Sequence, residues 1–211
     1  DGSTQPPTSI SFQTDKNGSA LNDVNDSQFT YTQTGQLLSV AQTLNNQPDT
    51  TYEYDESGRL AGQWDAANQQ WRVLHYTDDQ LGGEVWLNSQ NQPLSYRTFD
   101  EEAGLIVQLH KMGEEAGDSQ TLYVFPDPQN SSAEEYSFNA SGLWSSQSVG
   151  FTPWGEAPLE RLNKLNSGLG YNGQRVDPVT GCYHFGSRFY NPRHQAFCQS
   201  DSLSPFENGG L

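Results

Sequence analysis

Residues 52–60 read Tyr-Glu-Tyr-Asp-Glu-Ser-Gly-Arg-Leu. Two aromatics alternate with a polar residue, an acidic turn starter follows, and Gly58 allows a positive φ before apolar residues resume at Leu60. That order spells a β-hairpin. The unit recurs as Tyr31-Thr-Gln-Thr-Gly35-Gln-Leu37, Phe99-Asp-Glu-Glu-Ala-Gly104-Leu105 and Phe138-Asn-Ala-Ser-Gly142-Leu143. Tyr76 to Gly82 is a degenerate copy, and Phe12 to Leu21 is a further candidate. The anchors Tyr31, Tyr54, Tyr76 and Phe99 are spaced by 23, 22 and 23 residues, and a fixed period of this size marks a repeat architecture. Second tips at Asn45-Asn46, Ala66-Ala67-Asn68 and Ser89-Gln90-Asn91 make each period two strands and two turns. The sequence therefore predicts an all-β chain of repeated antiparallel hairpins, tipped at Gly35, Gly58, Gly104 and Gly142.

Outside the period the signals change. Phe99 and Phe138 lie 39 residues apart, with polar stretches at 113–119 and 125–132 that read as loops around a Tyr123-Val-Phe125 strand. Leu159, Leu162 and Leu165, at spacing three, allow one or two helical turns. Only 33% of the chain is hydrophobic while 12% is aromatic, so Tyr, Phe and Trp must supply much of the core. No run of 18 apolar residues is present, which excludes a membrane-spanning helix. Asp1-Gly2-Ser3-Thr4 does not open a signal peptide.

Charge divides the chain. Residues 1–150 hold 21 Asp and Glu against 5 Lys and Arg, whereas residues 151–211 hold 5 of each. An acidic surface of this kind excludes nucleic-acid binding through phosphates, which needs clustered cations. It reads as a solvated face or as a wall that holds a basic protein. The division sets a boundary near Gly150, with hairpin repeats over 1–150 and a separate segment over 151–211.

That segment ends in LGYNGQRVDPVTGCYHFGSRFYNPRHQAFCQSDSLSPFENGGL, residues 169–211. Asn172-Gly173, Asp177-Pro178, Thr180-Gly181 and Asn191-Pro192 are turn dipeptides, with short aromatic runs between them. Tyr171, Asn172, Gly173, Arg175, Asp177, Pro178, Gly181, Tyr183, Arg188, Tyr190, Asn191, Pro192, Phe197, Asp201 and Pro205 fall in the order of a known pattern. The stretch resembles the RHS repeat-associated core of bacterial Rhs and polymorphic-toxin (TcC-like) proteins. The hairpin unit likewise resembles the YD repeat, Tyr-Asp-x-x-Gly-x-Leu, which Tyr54, Asp55, Gly58 and Leu60 match in full. Phe151-Thr-Pro-Trp-Gly155-Glu resembles the short segment that precedes such cores.

The resemblance implies a β-strip forming part of a hollow shell, capped by the core segment, that holds or seals a toxin supplied in cis or in trans. It also implies export from a bacterial cell and a role in interbacterial competition. In the family the core is in some cases a self-cleaving aspartyl protease with two close carboxylates. Asp201 occupies the place of the first, and no counterpart of the second exists up to Leu211. Ala196 also stands where the family has Arg, so no catalysis is expected of this sequence.

Other chemistry reads weaker. Cys182 and Cys198, 16 residues apart, are either a disulfide worth about 3 kcal/mol or two buried thiols. Neither Cys nor His spacing suggests a metal, and no cofactor is expected. Cys182, His184 and Asp177 are a remote nucleophile–base–orienter candidate. The pairs Glu101/Glu102, Glu114/Glu115 and Glu134/Glu135 would project to opposite faces of a strand and read as solvated loops. The five Trp residues and the net charge of −16 support the alternative of a carbohydrate- or protein-binding module, the latter an acidic inhibitor of a basic partner.

Overall fold

The computed structural model describes residues 13–22, 27–41, 49–78, 80–100, 106–111, 119–138, 142 and 144–200. One antiparallel sheet takes eleven strands in strict sequence order: β1 (Gln28–Tyr31), β2 (Leu37–Ala41), β3 (Thr50–Tyr54), β4 (Leu60–Asp65), β5 (Gln70–Thr77), β6 (Gln80–Asn88), β7 (Pro93–Asp100), β8 (Ile106–Lys111), β9 (Gln120–Pro126), β10 (Ser132–Phe138) and β11 (Trp144–Ser148). A second sheet orders β12 (Arg175–Val176), β13 (Tyr183–Phe185), β14 (Arg188–Asn191) and β15 (Ala196–Phe197). The helical signal at Leu159 yields one turn, α1 (Leu159–Leu162). Every strand pairs with its neighbours in sequence, so the strip needs no long crossover.

One turn design builds most of the hairpin ends. Asp55 N–H donates to Arg59 O, Gly58 N–H donates to Asp55 O, and Asp55 Oδ1 accepts from Ser57 N and Arg59 N. Residue four of the turn takes a positive φ, 81° at Gly58. The same bonds close Asp15–Ser19, Thr32–Gln36, Asn88–Gln92, Asp127–Ser131 and Thr152–Glu156. Asn91 and Asn130 supply the positive φ in two of them, at 60° and 61°. Where Thr replaces Asp at residue 32, its hydroxyl still accepts from Gln36 N. The extra residue enters one strand as a bulge, seen as register shifts at Thr30/Tyr31, Glu53/Tyr54 and Trp86/Leu87.

Turns thus fall at Gly35 and Gly58, and Gly142 has φ 75° between β10 and β11. Ala66–Gln69 and Ser89–Asn91 turn as well, while Gly104, Phe12 and Asn45-Asn46 lie outside the described residues. The stretch 127–131, read from sequence as loop, is another copy of the turn. Asp127 and Asn130 stand at its first and fourth positions, where the other copies carry Gly or Asn at the fourth.

Tyrosines connect successive hairpins. Tyr54 OH donates to Leu37 O at 2.7 Å and Tyr76 OH to Leu60 O at 2.9 Å. Tyr31 OH bonds Ala20 O in the same manner and also Cys198 O at 3.0 Å. Each anchor therefore fastens to the backbone just beyond the preceding turn. Phe99 has no hydroxyl and packs instead on Val107, Leu122 and Val124. Phe138 departs further: its ring meets Tyr123 at 5.8 Å, on the face opposite buried Leu122 and Val124. The ladder shows the inversion directly: Phe99 pairs with Val107, Val107 with Leu122 and Leu122 with Ser137, so Ser137 rather than Phe138 takes the face of Phe99.

The inward face of the strip and the second sheet share one core. Phe29, Leu37, Val40, Tyr52, Leu60 and Leu74 pack with Cys182, Phe189 and Cys198. The C-terminal segment adds a cluster of its own, Val149, Leu162, Leu165, Val176 and Tyr183. No disulfide joins Cys182 and Cys198; both are reduced, buried thiols packed as small apolar groups.

Candidate functional site

The strip and the C-terminal segment meet at a seam of buried charge. Glu84, on β6, is 1% exposed. Arg72 Nε of β5 approaches its carboxylate at 2.9 Å and Arg97 Nη1 of β7 at 2.5 Å. Arg175, on β12, forms the third ion pair. Arg72, Glu84 and Arg97 occupy inward positions of adjacent strands, in register as Arg72↔Trp86 and Glu84↔Arg97. One carboxylate thus binds two cations of the strip and one of the C-terminal segment.

The guanidinium groups extend the seam. Arg97 Nη1 donates to Ser167 O at 2.9 Å, and Arg72 reaches Val176 O at 3.4 Å. Gly168 has φ 69°, and a Cβ there would stand 2.4 Å from Arg97 Nη1, so the backbone approaches only because residue 168 is Gly. Trp86 lies under Arg97, 4.6 Å from ring centroid to guanidinium. Burial pulls the Arg97 guanidinium below its usual range, and the Glu84 charge opposes that shift.

A second carboxylate fastens the segment from β10. Glu135, 2% exposed, accepts Asn166 N at 2.8 Å, Ser167 N at 3.0 Å and the Ser167 hydroxyl. Burial raises its carboxyl above the usual range against those hydrogen bonds. The sequence reading placed Glu135 in a solvated loop. It lies instead on the inward face, while Glu134 is exposed beside the Tyr136 hydroxyl at 3.0 Å. Glu101/Glu102 and Glu114/Glu115 lie outside the described residues.

The motif residues of the C-terminal segment act as turn makers and fasteners. Asp177 Oδ1 accepts Val179 N at 2.8 Å and Thr180 N at 3.1 Å, which shapes the turn through Pro178 to Gly181. Its Oδ2 accepts the Tyr52 hydroxyl of β3. Burial, and then the Asp177 charge, drive the Tyr52 phenol far above its ordinary pKa. Asn172 and Gly173 take φ of 51° and 68° in the turn before Arg175. Asn191 Oδ1 caps Arg193 N at 3.0 Å and His194 N at 3.3 Å, across Pro192. Arg188 lies over the Phe197 ring at 4.0 Å. Tyr171, Tyr183 and Tyr190 all donate to one loop, at Pro153 O, Gly155 O and Trp154 O. Asp201 and Pro205 lie outside the described residues.

Tyr54, Asp55, Gly58 and Leu60 occupy strip turns and ladders away from the seam. Asp55 is held below the usual carboxylate range by the Arg59 backbone N–H, and then by the Arg59 side chain at 2.8 Å. Asp177 is committed to Tyr52 and its own turn, so it does not orient His184. His184 packs on Phe189 at 5.1 Å, and burial, with Arg72 nearby, lowers its imidazole to about 4. The Cys182–His184–Asp177 arrangement is therefore packing. Trp64 and Trp71 pack against each other with centroids 5.4 Å apart and planes tilted by 47°, and Trp154 is exposed. Among the described residues no group of three His, Cys, Asp or Glu side chains is placed to hold a metal ion.

The charged seam escaped the sequence reading. A signal was present for two of its members: Arg72 shares strand parity with Leu74 and Tyr76, and Arg97 with Phe99. A charge on the parity of the repeat anchors points inward. Glu84, with Gly82 and Gly83 before it, gives no such cue.

Comparison with known proteins gives the same architecture. Crystal structures of TcdB2-TccC3 match 92% of this chain with a TM-score of 0.65, at 20% identity for one and 18% for the form without the hypervariable C-terminal region. The TcdB2-TccC3-Cdc42 complex matches 87% with a TM-score of 0.62 and 18% identity. At that identity the likeness is one of fold, and the chain spans about a tenth of the length of each of these structures. No curated protein matches the chain. The model of the teneurin YD-shell family matches residues 7–208, which takes in both the hairpin strip and the segment seamed to it. This chain, an RHS/YD-repeat protein, therefore belongs to the teneurin YD-shell family.

Proposed function

We propose that this chain is a closing piece of a YD-type shell, in which the strip is wall and the C-terminal segment is a cap that holds or seals a toxin. The observation that carries the reading is the Glu84 seam. Three arginines from β5, β7 and β12 converge on one buried carboxylate, so cap and wall cannot separate without exposing unpaired buried charge. A container that must stay shut needs such a joint. The strip's surplus of acidic residues suits a basic passenger. The passenger is a toxin polypeptide in cis or in trans, or the rest of a shell, and the assembly is exported from a bacterial cell to act on competitors.

The role is structural. Within residues 1–211 no second carboxylate stands in the family's sequence context, so a protein of these residues alone should stay at its full mass on long incubation; a discrete Asp201-dependent cut would refute this. The shell reading is tested with the full natural reading frame, or with the neighbouring toxin co-expressed. Limited proteolysis with mass spectrometry should find the passenger protected, and Glu84→Ala should expose it. A passenger cut equally fast in both proteins overturns the reading.

A further inference from the structure

Between strip and cap lies a cavity of about 710 Å³, within the range of small-molecule sites. Strands β5, β6, β7 and β9 form one wall and residues 169–186 the other. The chain carries 26 Asp and Glu, yet none is among the described residues that line this space. Arg59, Arg175 and His184 line it instead.

Two of these side chains have unused polar capacity. Arg175 is 7% exposed and its Nε has no hydrogen-bond partner among the described residues. His184 is 8% exposed and its Nε2 has none. Buried donors without partners are costly and rare. Glu84 is shared by Arg72, Arg97 and Arg175, so that ion cluster carries more positive than negative charge. His184, with its depressed pKa, is neutral near pH 7 and offers a hydrogen bond without a second charge. The rest of the lining sets the apolar side chains of Leu81, Phe99, Val124, Phe125 and Leu169 beside the amides and hydroxyl of Gln80, Asn130, Asn172, Gln174 and Ser132.

We infer that this cavity binds a small organic acid, with one carboxylate placed against Arg175 and His184 and an apolar or aryl body against Phe99, Val124 and Leu169. A single carboxylate matches one guanidinium and one neutral imidazole better than a phosphate, which draws several cations. The apolar walls select against a bare inorganic anion. Bound there, the acid touches both strip and cap and favours the closed seam.

Isothermal titration calorimetry with 4-phenylbutanoate and its primary amide tests the site, since the two differ only at the charged group. The acid should bind in the millimolar range or tighter, and the amide at least tenfold more weakly. Arg175 belongs to the ion cluster, and its replacement risks unfolding the chain. Gln174→Glu is the better variant: Gln174 lines the cavity, is half-buried, and its side chain donates to Asn172 O at 3.4 Å. The variant should weaken the acid at least fivefold and leave the amide unchanged. Equal affinity for acid and amide, no acid binding, or acid binding indifferent to Gln174→Glu would each overturn the proposal. Inorganic phosphate binding as tightly as the acid would also overturn it.

Discussion

The strip and the C-terminal segment are both β, yet they are stabilised in different ways. In the strip each hairpin leans on its neighbour: Tyr54 bonds Leu37 O and Tyr76 bonds Leu60 O, over 17 and 16 residues of sequence. In the C-terminal segment the decisive contacts reach far: Tyr52 to Asp177 spans 125 residues and Arg72 to Val176 spans 104. A repeat spreads stability over many similar short-range bonds, so losing one costs little. The segment depends on a few singular bonds to buried charges, and each is expensive to break.

Removing the seam's carboxylate should have the largest effect. Glu84→Ala leaves three buried guanidinium groups around an empty centre and should cost about 4 kcal/mol, read from urea unfolding. If the loss is under 1 kcal/mol or so, the seam does not hold the two regions together. The same experiment should show one cooperative transition in the parent protein, because the core joins Phe29 and Leu37 to Phe189 and Cys198.

Acid should act next, through His184. Its folded pKa, about 4, lies below the ordinary 6.5, so the folded state binds the proton less readily than the unfolded chain. Its contribution is whole above pH 6.5 and is lost as pH falls toward 4. The full window corresponds to roughly 3 kcal/mol at 1.36 kcal/mol per pKa unit. Unfolding free energies at pH 7 and pH 4.5 should therefore diverge more in the parent than in His184→Gln. Equal slopes in the two proteins would show that His184 is not buried in neutral form. Glu135 works in the opposite sense, since its raised carboxyl favours the folded state as pH falls below its folded pKa.

Tyrosine hydroxyls give the smallest effects and the sharpest contrast. Tyr52→Phe removes a donor from the Asp177 carboxylate and should cost about 2 kcal/mol. Tyr76→Phe removes a bond to a backbone carbonyl at 2.9 Å and should cost about 1 kcal/mol. Phe99 already stands at the next anchor position, so the strip tolerates that loss. Equal costs at both sites would erase the distinction between singular and repeated contacts.

Much of the strip was legible in the residues. Tyr54, Asp55, Gly58 and Leu60 write anchor, turn and return in one short run. The turn at 127–131 was hidden because Asn130 replaces Gly, although Asn also enters the left-handed region. The inverted parity of Phe138 was hidden because the period is interrupted before it. The seam was least legible: strand alternation says that Arg72 and Arg97 point inward, but not that Glu84 and Arg175 meet them there.

The sequence by itself determined the hairpins, their turns, their order in the sheet and the family, since these follow from local φ preferences, alternation and a fixed period. Only the tertiary structure decided which charges are buried together, that Cys182 and Cys198 pack as thiols rather than bond, and that a cavity lined by Arg175 and His184 lies between strip and cap. Those outcomes depend on segments about a hundred residues apart meeting on one face, and a local pattern carries no record of that meeting.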